Sequence, residues 1–363
     1  MKFLHLTTLG ALALSTTAAH SGGWETGRLD TSFLYEEGNY VELSYGNLNY
    51  SVNGTTQAGV THPMAKDQTR TSISGKFQLG DFDIGLTSFG SGAIQMDGQN
   101  AATTQTSPSS PYAGTALVYS VVPSADVKLD TQAIMGRYSF NDNWSATVGL
   151  RQAKVKASAV TTLATTYAID ATRKTGMVYG LAYERPDIAL KLEVLRSESI
   201  SMALTGGATV ASGTLEVPEA TTVNFQTGIA KDTLLMASAH KVSWSQSQIV
   251  VVGANGAPNV GSDFSDTTSY SLGLGRKLSE DTAVSLTYSW EDGAGAASTS
   301  PFTMSNGKKT LSAGVKHKID AFTISAGVSY TKAGDVDVTY GPYTASYADN
   351  SVTAFGLKIG YNF

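Results

Sequence analysis

The chain has 363 residues, no cysteine, and 30 acidic against 25 basic residues, a formal net charge of −5. The missing cysteine excludes a disulfide framework and a thiol catalyst. The mild acid excess argues against nucleic acid, whose partners are basic.

Residues 1–21 read as a secretory signal peptide. Lys2 gives a short positive start, Phe3 to Ala13 is mostly apolar, and Ala18-Ala19-His20-Ser21 offers small residues for cleavage. The apolar run is too short to span a bilayer. Cleavage after Ala19 and after Ser21 both fit; Ser21 is preferred, which makes Gly22 the mature start. No later window approaches the ~20 apolar residues of a membrane helix.

Residues 22–39 mix Trp24, Leu29, Phe33, Leu34 and Tyr35 with Glu25, Arg28, Asp30, Glu36 and Glu37, and show no strand alternation. So many large hydrophobes have no use in a free tail. Folded back into a lumen they would be buried and form a hatch. The alternative is an unstructured lead-in.

Residues 40–363 read as an all-β transmembrane antiparallel barrel. Tight turns at Leu79-Gly80-Asp81, Asn141-Asp142-Asn143, Arg185-Pro186-Asp187, Lys231-Asp232, Ser279-Glu280-Asp281 and Asp320-Ala321 use residues that form turns readily. They alternate with long Ser/Thr/Gly-rich connections near 53–68, 93–125, 159–169, 204–218, 251–263, 293–306 and 338–349. That alternation predicts about 14 strands with short periplasmic turns and long outer loops.

The strands have period two. Trp144, Ala146, Val148 and Leu150 alternate with Ser145, Thr147, Gly149 and Arg151; Phe322 to Tyr330 and Val284 to Trp290 repeat the pattern. The final run, Phe355, Leu357, Ile359, Tyr361 and Phe363, ends on an aromatic that resembles the sorting mark of outer-membrane proteins. A soluble sandwich would alternate too, with the apolar face inward. Strands of roughly ten to fifteen residues favour the bilayer over the ~5–6 usual in sandwiches. Phe82, Phe140, Trp144 and Phe322 are expected in one aromatic girdle, and Tyr288, Trp290, Tyr330 and Trp244 in the other.

Charges on the polar faces should point inward: Arg151, Lys191, Glu193, Lys316 and Lys358. They suit holding Glu36 and Glu37, receiving a carboxylate head group, or simply lining a wet interior. His62, His240 and His317 lack metal-ligand spacing, and there is no G-x-S-x-G elbow. Neither an enzyme nor a metal or other cofactor is expected.

The stretch Phe33-Leu34-Tyr35-Glu36-Glu37-Gly38-Asn39-Tyr40-Val41-Glu42-Leu43-Ser44-Tyr45-Gly46 resembles the start of a proteobacterial branch of the FadL/TodX outer-membrane transport family. The resemblance implies a barrel of about fourteen strands with an N-terminal hatch. It also implies uptake of long-chain fatty acids or other hydrophobic compounds, and lateral release into the membrane through a kink in the third strand.

Gly90 and Gly92, two glycines close together late in that strand, are the candidates for the side opening, against a plain strand end. In the long 93–125 connection, Tyr112, Leu117, Val118, Tyr119, Val121 and Val122 suggest a hydrophobic landing site, against a loop packed on itself. The family's Asn-Pro-Ala hatch motif has no counterpart, since residues 22–39 contain no proline. The family's high-affinity pocket and release mechanism therefore do not carry over. The expected partners are a fatty-acid-like hydrophobic molecule and outer-membrane lipid, with the chain a monomer. A general diffusion porin for small polar solutes and an adhesin stay open as alternatives.

Overall fold

The structure, a computed structural model, describes residues 25–56, 61–98, 124–156, 158–162, 165–204, 210–248, 250–253, 258–295, 297–340 and 343–363. Fourteen antiparallel strands close into a barrel. They are β1 (Tyr40–Ser51), β2 (Gln68–Leu79), β3 (Phe82–Asp97), β4 (Ser124–Ser139), β5 (Trp144–Val155), β6 (Lys174–Arg185), β7 (Leu190–Ser197), β8 (Ala220–Ala230), β9 (Thr233–Val242), β10 (Thr267–Lys277), β11 (Thr282–Glu291), β12 (Lys308–Ile319), β13 (Phe322–Ala333) and β14 (Ser351–Asn362). Each pairs with its neighbour in sequence, and β14 pairs with β1 from Tyr40↔Asn362 to Ser51↔Ser351. Closure leaves no continuous free edge, the condition for a sheet to sit in hydrocarbon.

All six expected tight turns are present. Four carry a left-handed residue: Gly80 (φ +64°), Ala189 (φ 52°), Asp232 (φ 58°) and Asp320 (φ 51°). Glycine has no Cβ to clash there, and aspartate tolerates that region better than most residues.

The barrel is inside-out relative to a soluble protein. Leu43, Ile73, Leu86, Ile134, Val148, Leu272, Leu311 and Val328 are exposed on its outer face, while Glu42, Ser74, Lys76, Asp83, Thr147, Glu193 and Ser325 are buried within. An apolar belt of this extent requires lipid as solvent. Aromatics mark the turn end of the belt: Trp144 against Tyr183 at 4.8 Å, Tyr138 against Phe140 at 5.3 Å and Phe322 against Tyr361 at 4.7 Å. At the loop end Tyr270, Trp290 and Tyr288 stack in a row.

Three expectations are corrected. Trp244 is not in a girdle. It lies in a short 3-10 turn after β9, is buried, and meets Phe264 edge-on at 5.9 Å, because the chain there folds inward over the barrel mouth. The lumen is not polar throughout. Toward the loop end the inward positions become apolar (Leu48, Val127, Leu129, Val155, Val242, Val352) and join Met64, Ile94, Met96, Phe302 and Met304 in one buried cluster. The long connections are not merely loops. Segments 200–203, 210–217, 250–253 and 258–261 form one sheet, and 53–56, 61–63, 297–298, 336–340 and 343–347 form another.

Candidate functional site

Residues 27–39 lie across the lower lumen against inward-facing side chains. Ser32–Tyr35 form one 3-10 turn that buries Phe33 and Leu34 completely. With Leu29 they pack on Tyr40, Ala133, Met135, Val178 and Leu195. Gly85 on β3 makes this fit possible, since a Cβ there would run into Leu34 and Phe33.

Charge fixes the same segment. Glu193 accepts hydrogen bonds from Thr31 Oγ1 (2.9 Å), Tyr35 Oη (2.9 Å) and Asn224 Nδ2 (2.9 Å). The Tyr35 ring carries two cations, Lys191 Nζ at 3.8 Å and the Arg137 guanidinium at 4.2 Å from its centroid. Arg137 also donates to the Leu34 carbonyl at 2.9 Å and pairs with Asp83 (3.3 Å) and Glu184 (3.0 Å). Burial, then the Glu193 carboxylate, pushes the Tyr35 phenol up, so it stays a neutral donor.

Lys358 bridges Asp30 (3.3 Å) and Glu42 (3.2 Å). Desolvation inside the lumen works against the Asp30 charge, but the Lys358 ammonium and the Ser32 amide outweigh it and hold Asp30 down to about 2. Lys316 faces Glu36 at 3.9 Å, and Lys76 donates to the Glu36 carbonyl. The Glu37 carbonyl accepts from Asn362 at 2.8 Å. Trp24 lies outside the described residues.

Arg151 stands apart from these pairs. It is buried on the inner face of β5, donates to the Pro218 carbonyl at 3.2 Å and to the Glu198 carbonyl, and its Nε has no hydrogen-bond partner among the described residues. No carboxylate pairs with it among those residues. It lines a cavity of about 30 Å³ with Arg28, Thr222, His240, Leu195 and Val242, at the border between the charged lower lumen and the apolar upper cluster.

The wall is interrupted between β2 and β3. Their pairing runs from Leu79↔Phe82 only as far as Ser72↔Phe89. On the other side of β3, the register with β4 slips between Gly90↔Asp130 and Gly92↔Leu129, so Ser91 is a bulge. Beyond it β3 pairs with Glu25–Thr26 instead of β2 (Glu25↔Ala93, Thr26↔Gly92). The seam is closed again by the bridge Ala65↔Met96. A cavity of about 130 Å³ opens here, lined by Arg28, Asp30, Glu42, Leu48, Arg70, Ser72, Phe89 and Gly90. A Cβ on Gly90 would meet nothing within 4 Å, whereas one on Gly27 would strike the Gly90 carbonyl.

The structure therefore sets Gly90 and Gly92 on either side of the bulge and turns Arg151, Lys191, Glu193, Lys316 and Lys358 inward. Tyr112, Leu117, Val118, Tyr119, Val121 and Val122 lie outside the described residues. Sequence reasoning missed Arg137, Asp83, Lys76 and Glu42, and placed Arg28 in the lumenal segment without a role. The first four lie on the polar parity of their strands, so the rule that singled out Arg151 would have found them.

No family model and no curated protein matches the chain. Solved structures do. Similar folds include a Pseudomonas aeruginosa FadL homologue (TM-score 0.70, 11% identity, 92% of each chain covered). The Pseudomonas putida toluene transporter TodX has a TM-score of 0.59 at 14% identity, over 94% of this chain and 96% of that one. The Ralstonia pickettii toluene transporter TbuX has a TM-score of 0.55 at 12% identity, over 90% of each chain. At these identities the likeness establishes the fold, which is the one that the resemblance at residues 33–46 implies.

Proposed function

We propose that this chain, which shares the fold of the FadL and TodX structures, is an exported outer-membrane channel that takes up hydrophobic compounds and releases them sideways into the membrane. The observation that carries this reading is the interrupted β2–β3 seam with its cavity, beside a lumen occupied by residues 27–39. An occupied lumen disfavours straight passage of polar solutes. A gap in the wall offers a greasy molecule a short route to lipid.

In this scheme Tyr112, Leu117, Val118, Tyr119, Val121 and Val122 collect substrate at the surface. The apolar upper cluster receives it, residues 22–39 act as the hatch, and Gly90 and Gly92 keep the exit open. Moving apolar area out of water drives the process, at roughly 25 cal/mol per Å², with no cofactor. Long-chain fatty acids fit this route because Arg151, which has no carboxylate partner among the described residues, offers its charge to a carboxylate where the apolar cluster ends.

Liposome uptake tests the reading. Vesicles containing the protein should take up a labelled fatty acid faster than protein-free vesicles, and Gly90→Val with Gly92→Val should slow it several-fold by restoring strand character at the bulge. Uptake by the double variant equal to wild type would overturn lateral release. Large steady conductance steps without fatty-acid uptake would favour a diffusion porin.

A further inference from the structure

The outer face of the barrel at the loop end carries an arrangement that the transport reading leaves unused. Lys309 on β12 and Lys332 on β13 stand directly opposite each other. Both face outward and are exposed. Directly opposed like charges on one sheet face, with Cβ atoms about 5 Å apart, destabilise the pair.

Relief within the chain is slight. Lys332 meets Asp349 at 3.7 Å, but those side chains are 63% and 90% exposed, so water screens the contact. Lys309 makes no ion pair among the described residues, and the neighbouring Lys308 points the other way, to Glu291 at 3.5 Å.

Next to Lys309 across the strand pair is Trp290. Its indole is the centre of the stack with Tyr270 (5.4 Å, 26° between planes) and Tyr288 (5.9 Å, 23°). Below Lys332, Tyr330 stands exposed on the apolar belt. Two cations thus sit on the rim of the belt beside a flat aromatic row, at the height where lipid head groups meet the wall.

We propose that this face seats a phosphorylated glycolipid of the outer leaflet, with its phosphate between Lys309 and Lys332 and its sugar ring on the Trp290 row. A phosphate has three acceptor oxygens and turns the repulsion between the lysines into two charge-assisted hydrogen bonds. A flat aromatic row suits the C–H face of a sugar; a glycerol head group presents no such face. The inference rests on placing the loop end at the outer leaflet.

Native mass spectrometry of the detergent-purified full chain, titrated with diphosphorylated lipid A, tests the site. Wild type should bind it about tenfold more tightly than the fully dephosphorylated form, and Lys309→Gln with Lys332→Gln should erase that preference. Lys318→Gln, which removes one charge at the turn end, should leave it unchanged.

Equal binding of the two lipid forms, full retention by the double variant, or equally tight phosphatidylglycerol would overturn the proposal. Fatty-acid uptake into vesicles lacking lipid A is measured alongside. Loss of lipid preference with normal uptake isolates this face, whereas wild type that fails uptake while keeping the preference counts against the transport reading alone.

Discussion

The amide of Gly27 donates to the carbonyl of Ser91 at 2.8 Å, at the one residue where β3 slips register against β4. This bond joins the lumenal segment to the defect in the wall. Glu25–Thr26 continue the contact along the β3 edge that β2 leaves free. The lumenal segment and the gap in β2–β3 pairing are therefore in direct contact, and substitutions in either should be felt in the other.

Gly27→Val places a side chain against the Gly90 carbonyl, a backbone atom that cannot swing away. It should lift residues 25–27 off β3 while leaving the barrel heat-modifiable on gels. The chain has no cysteine, so Ser91→Cys gives a clean reporter. Its thiol should react several-fold faster in the Gly27→Val background; an unchanged rate would separate the two parts.

Glu193 is the acceptor on which the lumenal segment converges. Glu193→Ala strips Thr31 and Tyr35 of their acceptor and removes one of the carboxylates near Lys191. Hydrogen bonds to charged groups contribute about 1.5–3 kcal/mol each. Planar-bilayer conductance should rise toward that of a chain lacking residues 22–39, with Glu193→Gln in between.

Phe33→Ala removes a fully buried ring from the contact between the segment and the wall. The usual penalty for such a truncation is about 3–5 kcal/mol. It should fall on the segment and not on the sheet. Proteolysis of residues 27–39 should accelerate, while the unfolding temperature of the barrel barely moves.

Asp30 gives the segment an acid limit. Its folded value, about 2, lies below the ~3.9 of a free aspartate, so the bond to Lys358 stabilises the seated segment fully above about pH 4 and is lost as pH falls through about 2. Conductance should stay flat from neutral pH to about 4 and climb below it. In Lys358→Gln the climb should begin at higher pH, nearer the ordinary carboxylate range.

Arg151→Leu discriminates between substrates. The guanidinium is buried with no carboxylate partner among the described residues, but it donates to the Pro218 and Glu198 carbonyls, so the unfolding temperature of the variant is measured alongside and a small loss is expected. Uptake of a fatty acid should fall about tenfold if a charge-assisted carboxylate contact is lost. Uptake of a neutral aromatic hydrocarbon should hold. Equal losses for both would remove Arg151 from head-group recognition.

What the chain order alone determined was the barrel. Period-two alternation is a local property, and Asp, Asn, Gly and Pro punctuate it at Gly80, Asp232 and Asp320 for steric reasons that need no neighbours. Parity then places Arg151, Lys191, Glu193, Lys316 and Lys358 inside. Two things needed the folded molecule. The bulge at Ser91 is a slip of one residue between strands, and two nearby glycines signal a weak spot without saying which neighbour lets go. The meeting of Thr31, Tyr35 and Asn224 on Glu193, and the inward turn of Trp244, join residues far apart in sequence, because closing a lumen brings every inward face within reach of the same few side chains.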